Sequence, residues 1–354
     1  SLACMGMVPA WAQLNLPTGF PQNGNVVFGN VGVASGGTAA LQRLNQSTMN
    51  AIVNWNAFSL AGGKTLEINQ QMGAASVMLN RVVGSGGVIE QSVINGTLTA
   101  NVHVFVVNPS GVLFGSTARV NVGGLVASTL DISDSQIAKD VSVVGKGGQL
   151  VFGGGINDAN SIARVTVEPN AVINVGEGGT AGLLGALVRN EGQINVARGS
   201  AGLVSGARVT LDFEGDGLTK FTVPLEGGLM NTSVASVQAT DPTTKALVMN
   251  TGTIMADGGR VVLVGASGLV QQVVNQSGTV RARSLVERGG EIVLEAIGAQ
   301  VDSGAGLEVS GTLDARGNAP GVAGGSIRTI AGNLNVLAGA QIAAGGNAGG
   351  ANGS

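Results

Sequence analysis

The sequence predicts an all-β chain wound as a right-handed parallel β-helix, a solenoid with N-terminal capping strands and an extra-helical hairpin or small sheet. Three observations carry that prediction. Charged residues make up 11% of the chain and Gly supplies 60 of its 354 residues, against averages of about 25% and roughly 7%. The residues that dominate instead, Val, Thr, Leu, Ala, Asn and Gly, suit short strands on a pleated surface joined by tight corners. A short phrase also recurs, each time a turn followed by alternating residues: INGTLTA from Ile94, NEGQINVA from Asn190, NTGTIMA from Asn250, QSGTVRA from Gln276 and VSGTLDA from Val309.

A second phrase often follows the first: GSAGLVSG from Gly199, GGRVVLVGA from Gly258, GGEIVLEAI from Gly289 and GGSIRTIAG from Gly324. Turn, strand, Gly-Gly turn and strand make most of one solenoid coil of about 20 to 25 residues. Ile194, Val196, Ile254, Val280, Leu313, Val261, Leu263, Ile292 and Leu294 are the expected inward column. With 44% hydrophobic residues the chain is too apolar for disorder. Eight Pro and irregular Gly exclude a collagen repeat, which needs Gly at every third position.

Residues 1–12 read as a signal-peptide remnant, an apolar stretch ending in Ala10-Trp11-Ala12, the small-x-small pattern that precedes cleavage at Gln13. A buried N-terminal strand is the alternative. The β-helix domain is expected over 13–340, with a cap over about 13–60 that closes an edge otherwise open to aggregation. One short helix is expected within Ser128 to Asp140, where Asp and Ser starters precede helix-compatible spacing. The segment 211–248 breaks the rhythm and reads as a hairpin outside the solenoid. Residues 341–354 are Gly, Ala and Asn with nothing that reads as a cap, and are expected to be a disordered tail truncated from a longer protein.

Several function classes are disfavoured by composition. The formal net charge is −3 and Tyr is absent, so neither a phosphate footprint nor a base-stacking platform is available for nucleic acid. No run of some 18 apolar residues offers an integral membrane span. Cys4 is the only cysteine and falls within the remnant, leaving the mature chain no disulfide, thiolate metal site or thiol nucleophile. His103, the only histidine, sits in an alternating strand without the Ser and Asp phrases of a triad. Asp212, Glu214 and Asp216 mimic the start of a calcium loop, but its twelfth position is Val223 where a bidentate Glu is required. No cofactor, metal or catalytic residue is therefore expected. Glycosylation triplets begin at Asn45, Asn95, Asn231, Asn275 and Asn352, as an Asn-rich chain produces by chance.

The strongest local signal lies between Ile52 and Ile132. It contains VNWNAFSLAGG, SVMLNRVVGSG and VHVFVVNPSGVLFGSTARVNVGGL. In these phrases the chain resembles the haemagglutinin-type N-terminal domain of two-partner secretion (TPS) exoproteins, the group that includes filamentous haemagglutinin and the high-molecular-weight adhesins. It is most similar to the adhesin and haemolysin branch. The specific motifs cover roughly Pro17 to Ile132, and beyond Val151 only generic β-helix character is shared. The family's motif positions fall on Asn54, Trp55 and Phe58, on Leu79, Asn80 and Arg81, and on Asn108, Pro109, Ser110 and Gly111. Two positions depart from the family pattern: Ser110, where Asn is usual, and His103, where Gln or Lys is commoner. Ser keeps a turn-forming side chain, so Pro109 with its fixed φ and Gly111 with access to φ > 0 still make a tight corner.

The resemblance implies a parallel β-helix exported through the outer membrane of a Gram-negative bacterium by a TpsB-type barrel transporter with periplasmic POTRA modules. It further implies delivery to the cell surface or extracellular space, a longer passenger of adhesin or haemagglutinin type, and a host glycan or protein reached through that passenger. Shaping a coil corner and being recognised by the transporter are compatible roles for Asn108 to Gly111. A β-helical polysaccharide-active enzyme is a second reading, but the 21 Asp and Glu are scattered and do not recur at matching coil positions. Direct glycan binding is a third, and it lacks aromatic anchors.

Overall fold

The structure, a computed structural model, describes residues 12–144, 148–153, 163–213, 217–224, 246–267, 272–298 and 306–354. The expected signal remnant, apart from Ala12, lies outside them. Parallel strands stack in three columns that the chain visits in fixed order, which makes a right-handed parallel β-helix. Coil 1 runs through Leu41–Gln46 and Asn50–Ala57, and coil 2 through Thr65–Gln70, Val77–Val82 and Ser92–Ile94. Thr97–Val107 and Arg119–Ser128 bend round the first corner to serve the first two columns of coils 3 and 4. The stack then continues through coils beginning at Val172, Gln193, Thr253, Thr279 and Thr312 to a last strand at Gln341–Ala343.

Register gives the coil length directly. Thr97 pairs with Arg119, 22 residues on, and Val172 with Gln193, 21 residues on. From Arg119 to Val172 the step is 53 residues, and from Gln193 to Thr253 it is 60, because both coils carry an excursion outside the helix. All nine residues expected to point inward are at most 1% exposed.

The recurring phrase has a physical reason. Its first residue is the buried amide of Asn190, Asn250 or Gln276, and these stack with Nδ2-to-oxygen bonds of 2.7 Å between successive coils. Its third residue is Gly192, Gly252, Gly278 or Gly311, stacked so closely that a Cβ on Gly252 would lie 2.2 Å from the carbonyl oxygen of Gly192. Any side chain there would push adjacent coils apart.

The cap is shorter than the expected 13–60. Gln13–Leu14, Gln22–Phe28 and Val31–Val33 pair antiparallel, whereas Leu41–Gln46 and Asn50–Ala57 already belong to the parallel stack. The helix is a single turn, Asp134–Ile137, whose preceding Ser133 makes no side-chain cap bond. The hairpin begins earlier than expected: Arg208–Phe213 pairs with Thr219–Thr222, and Gln149–Gly153 from the first excursion adds a third antiparallel strand. Val248–Asn250 is already back in the third column, and residues 225–245 lie outside the described residues.

The tail differs most. Gln341–Ala343 pairs in parallel with Thr312–Asp314, the N–H of Gly353 donates to the carbonyl of Ala344 at 2.7 Å, and that of Ile327 to the carbonyl of Ser354 at 2.6 Å. Gly and Ala need no side chain to continue a ladder that the preceding coil presents, so composition alone misjudged this segment as disordered.

From Asn50–Ala57 to Arg260–Ser267 the second column is buried on both faces, and it becomes exposed by its last strand, Ser326–Ala331. Inside, its side chains join the helix core; outside, Ile52, Val77, Leu79, Phe105, Val126, Leu184 and Val204 meet Leu130, Ile132, Ile137, Phe152, Leu211, Phe213 and Phe221 of the excursions. A strand apolar on both sides loses the alternation that marks a half-exposed sheet.

Candidate functional site

Strand register places the three sequence motifs on one corner. Asn54 pairs with Arg81, Arg81 with Val107 and Val107 with Ser128. The phrases 54–58, 79–81 and 108–111 therefore sit where coils 1, 2 and 3 leave the second column.

Trp55 points inward and is 0% exposed; its Nε1–H donates to Asn80 Oδ1 at 3.0 Å, and its ring meets Phe58 edge-on with centroids 5.8 Å apart. The cap closes on it through Gly24, where a Cβ would lie 2.6 Å from the indole. Asn80 is equally buried and turns its Nδ2 towards the carbonyls of Met78 and Phe105, 3.3 Å from each. One amide thus satisfies the indole and two backbone acceptors, as a dry interior requires.

The neighbours of Asn80 in sequence face outward. Leu79 joins the apolar layer under the excursion. Arg81 reaches Asp131 at 2.8 Å, Asp134 at 2.6 Å and the carbonyl of Ile132, with Asn54 Oδ1 at 3.5 Å. Burial alone would lower the pKa of this guanidinium, but hydrogen bonds and charge from Asp134 and Asp131 outweigh it and raise the pKa above its ordinary value. Its planar fork is suited to binding two carboxylates at once.

The third motif is a complete turn. Asn108 donates through Nδ2 to the carbonyl of Glu90 at 2.8 Å and to Ser92 Oγ at 3.0 Å, while its Oδ1 accepts from the N–H of Ser110 at 2.8 Å. The N–H of Gly111 closes the turn on the carbonyl of Asn108 at 2.9 Å, with Gly111 at φ +110°. Ser110, the departure from the family pattern, donates its hydroxyl to the carbonyl of Ile89 at 2.6 Å, so its side chain supports the corner.

Sequence reasoning missed three residues that tie these strands to the first excursion, two at this corner and one at the opposite end of Asn50–Ala57. Asp131 and Asp134 hold Arg81, and Asn50, 0% exposed, donates to the carbonyls of Lys139 and Val141 at 2.7 and 2.8 Å. Two carboxylates three residues apart stand out in so weakly charged a chain, but nothing local names Arg81 as their partner. Asn50 carried no signal, since Asn is common throughout.

His103 rests against Gly124, and its Nδ1 lies 3.2 Å from the carbonyl of Ala74. Burial lowers its pKa below the usual imidazole value despite backbone bonds to Ala74 and Ser76. Among the described residues no group of three or more His, Cys, Asp and Glu is placed to hold a metal ion. Asp212 of the calcium-like phrase accepts from Gln149 at 2.8 Å; Glu214 and Asp216, like the triplet at Asn231, lie outside the described residues. Among the described residues no helix is long and apolar enough to cross a membrane.

Residues 20–309 match the TPS secretion domain family, so the match spans most of the cap, the motif corner and most of the coils. The chain belongs to the TPS secretion domain family. Two heme/hemopexin-binding proteins of Haemophilus influenzae are similar to this TPS domain. One is 33% identical over 169 residues, 44% of this chain and 18% of that protein; the other is 35% identical over 113 residues, 32% of this chain and 12% of that protein. The matched part is thus a small share of either relative's length. The secretion domain of HMW1 from Haemophilus influenzae superimposes with a TM-score of 0.69 at 25% identity, covering 92% of this TPS domain and 74% of that chain. The filamentous hemagglutinin secretion domain shares the fold, with a TM-score of 0.53 at 15% identity over 94% of this chain and 98% of that one. These neighbours agree with the adhesin-branch resemblance, and the chain is a secretion domain of the kind found in large exoproteins.

Proposed function

We propose that this TPS domain addresses a large exoprotein to a TpsB-type outer-membrane barrel, whose periplasmic POTRA modules recognise the motifs Asn54 to Phe58, Leu79 to Arg81 and Asn108 to Gly111 before the domain folds. One observation carries the order of events. Trp55, Phe58, Leu79, Asn80 and Asn108 are each at most 1% exposed once folded, so a protein partner can reach their side chains only on the unfolded chain. Folding outside the membrane then hides them and draws the chain outward, since each coil buries apolar surface and completes the preceding edge's hydrogen bonds. The product reaches the cell surface or the extracellular space. The domain performs no chemistry in this reading.

The passenger is proposed to be of adhesin or haemagglutinin type, with a host glycan or protein as its target. The names of the heme/hemopexin-binding relatives raise a haem-carrier ligand as an equal candidate for it.

Isolated POTRA modules of the cognate barrel, titrated with the chain unfolded in mild urea and with the folded chain, test the proposal. Binding is expected to the unfolded chain and to be lost in Asn108→Ala and Trp55→Ala. Equal binding to the folded chain, or secretion undiminished after deletion of residues 54–124, would overturn it.

A further inference from the structure

Coils 1 to 3 are left unfinished by their own residues in three respects. Arg81, its side chain 13% exposed, finds no carboxylate within the first three coils and takes Asp131 and Asp134 instead. Asn50 donates only to carbonyls 89 and 91 residues downstream. The outer faces of Ile52, Val77, Leu79 and Phe105 are apolar and lie under Leu130, Ile132, Ile137 and Phe152, with Phe105 and Phe152 rings 6.1 Å apart. All three gaps are closed by residues of one excursion, 130–144 with 148–152.

That segment is also closed on itself. Gln136 of the single helical turn donates to the carbonyl of Val151 at 2.9 Å and accepts from its N–H at 2.7 Å, and the N–H of Gly153 donates to the carbonyl of Asp131 at 2.9 Å. It is thus held by its own hydrogen bonds as well as by those to coils 1 to 3, and its last strand, Gln149–Gly153, also pairs with Arg208–Phe213.

We propose that residues 130–144 and 148–152 form a latch that folds with coils 1 to 3 as one cooperative unit, with Arg81 as its positioning residue. In the absence of the latch the apolar outer face is left uncovered and Arg81 and Asn50 lose their protein partners, and both oppose stable coils. In a chain that emerges from its N-terminus, Arg81 appears 50 residues before Asp131. The first coils consequently do not lock one at a time as they emerge but together, once the latch has followed. Coils from Thr253 onward find their outer cover, Phe221 and Val223, already behind them in the chain and add singly. The inference concerns the isolated chain and stands whether or not the motifs are read by a transporter.

Native-state hydrogen exchange of the purified full chain, resolved by peptide, tests it. In Arg81→Ala, strands Asn50–Ala57 and Val77–Val82 and the segment 131–152 are expected to lose protection together by about tenfold or more, the size of one lost charge-assisted hydrogen bond. Thr253–Met255 and Arg260–Ser267 keep theirs. Asp131→Asn with Asp134→Asn, which alters only the more exposed side of the pair, gives the same pattern and serves if Arg81→Ala does not fold; Arg81→Lys restores protection in part. Loss confined to 131–152, with Val77–Val82 unchanged, would show that the excursion merely rests on the coils. Equal loss in every coil would show general destabilisation, and either result overturns the latch.

Discussion

In the first three coils, polar side chains take partners of a different kind: Trp55 takes Asn80 in the next coil, while Arg81 reaches Asp131 and Asp134, and Asn50 the carbonyls of Lys139 and Val141, far along the chain. From coil 5 onward the same contacts repeat from one turn to the next. Asn190 stacks on Asn250 and Asn250 on Gln276, while Arg260 pairs with Glu291, and Arg281 with Asp257, across adjacent coils. A repeated contact between equivalent positions needs only a residue type, so it tolerates drift. A contact between unlike positions needs both partners, and its residues behave as a motif. The motif phrases accordingly lie before Ile132, and most copies of the recurring phrase lie after it.

The largest test of that difference is Trp55→Ala. Removing a fully buried indole leaves a cavity and strands Asn80 Oδ1, and a loss of about 3–5 kcal/mol in denaturant unfolding is expected. The repeat region is expected to respond less. Asn250→Leu unpairs Asn190 Nδ2 and Gln276 Oε1 and is expected to cost about 1–3 kcal/mol, with Asn190→Leu added to it costing less than the two singly because the ladder is shared. A Trp55→Ala loss no larger than that of Asn250→Leu would erase the contrast.

Acid separates the regions further. Burial would raise the pKa of Asp314, but hydrogen bonds from Arg316 and Arg283 prevail and hold it well below the usual carboxylate range. With its folded pKa depressed, its contribution is present above about pH 4 and lost as pH falls further. His103 in coil 3 is also depressed, by burial, so the fold loses stability as pH drops below about 6.5, where the unfolded imidazole takes up a proton first. Unfolding titrations of His103→Asn and Asp314→Asn are expected to remove the near-neutral and the acidic slope respectively. The smallest effect is expected from Arg43→Ala: its pair with Glu67 has side chains 35% and 32% exposed, and less than about 1 kcal/mol should be lost.

Much of the fold was readable from local pattern. The inward column from Ile194 to Leu313, the corner at Asn108 to Gly111 and an outer hairpin near 211 all follow from alternation and turn chemistry, which depend on residues close in sequence. The tail was misread because its Gly and Ala bond through the backbone, to an edge that composition does not reveal. Asn50 and the Asp131–Asp134 pair were missed because their partners lie 50 or more residues away.

By itself, then, the sequence determined the coil: strand and turn repeat because each depends on neighbours close in the chain, whereas the burial of Asn190, Asn250 and Gln276 appeared only once coils were stacked. Tertiary structure decided which face of the second column would be covered, by which excursion, and that Arg81 would hold it there. Those choices rest on contacts between segments that become neighbours only after several coils have stacked, and no local pattern encodes them.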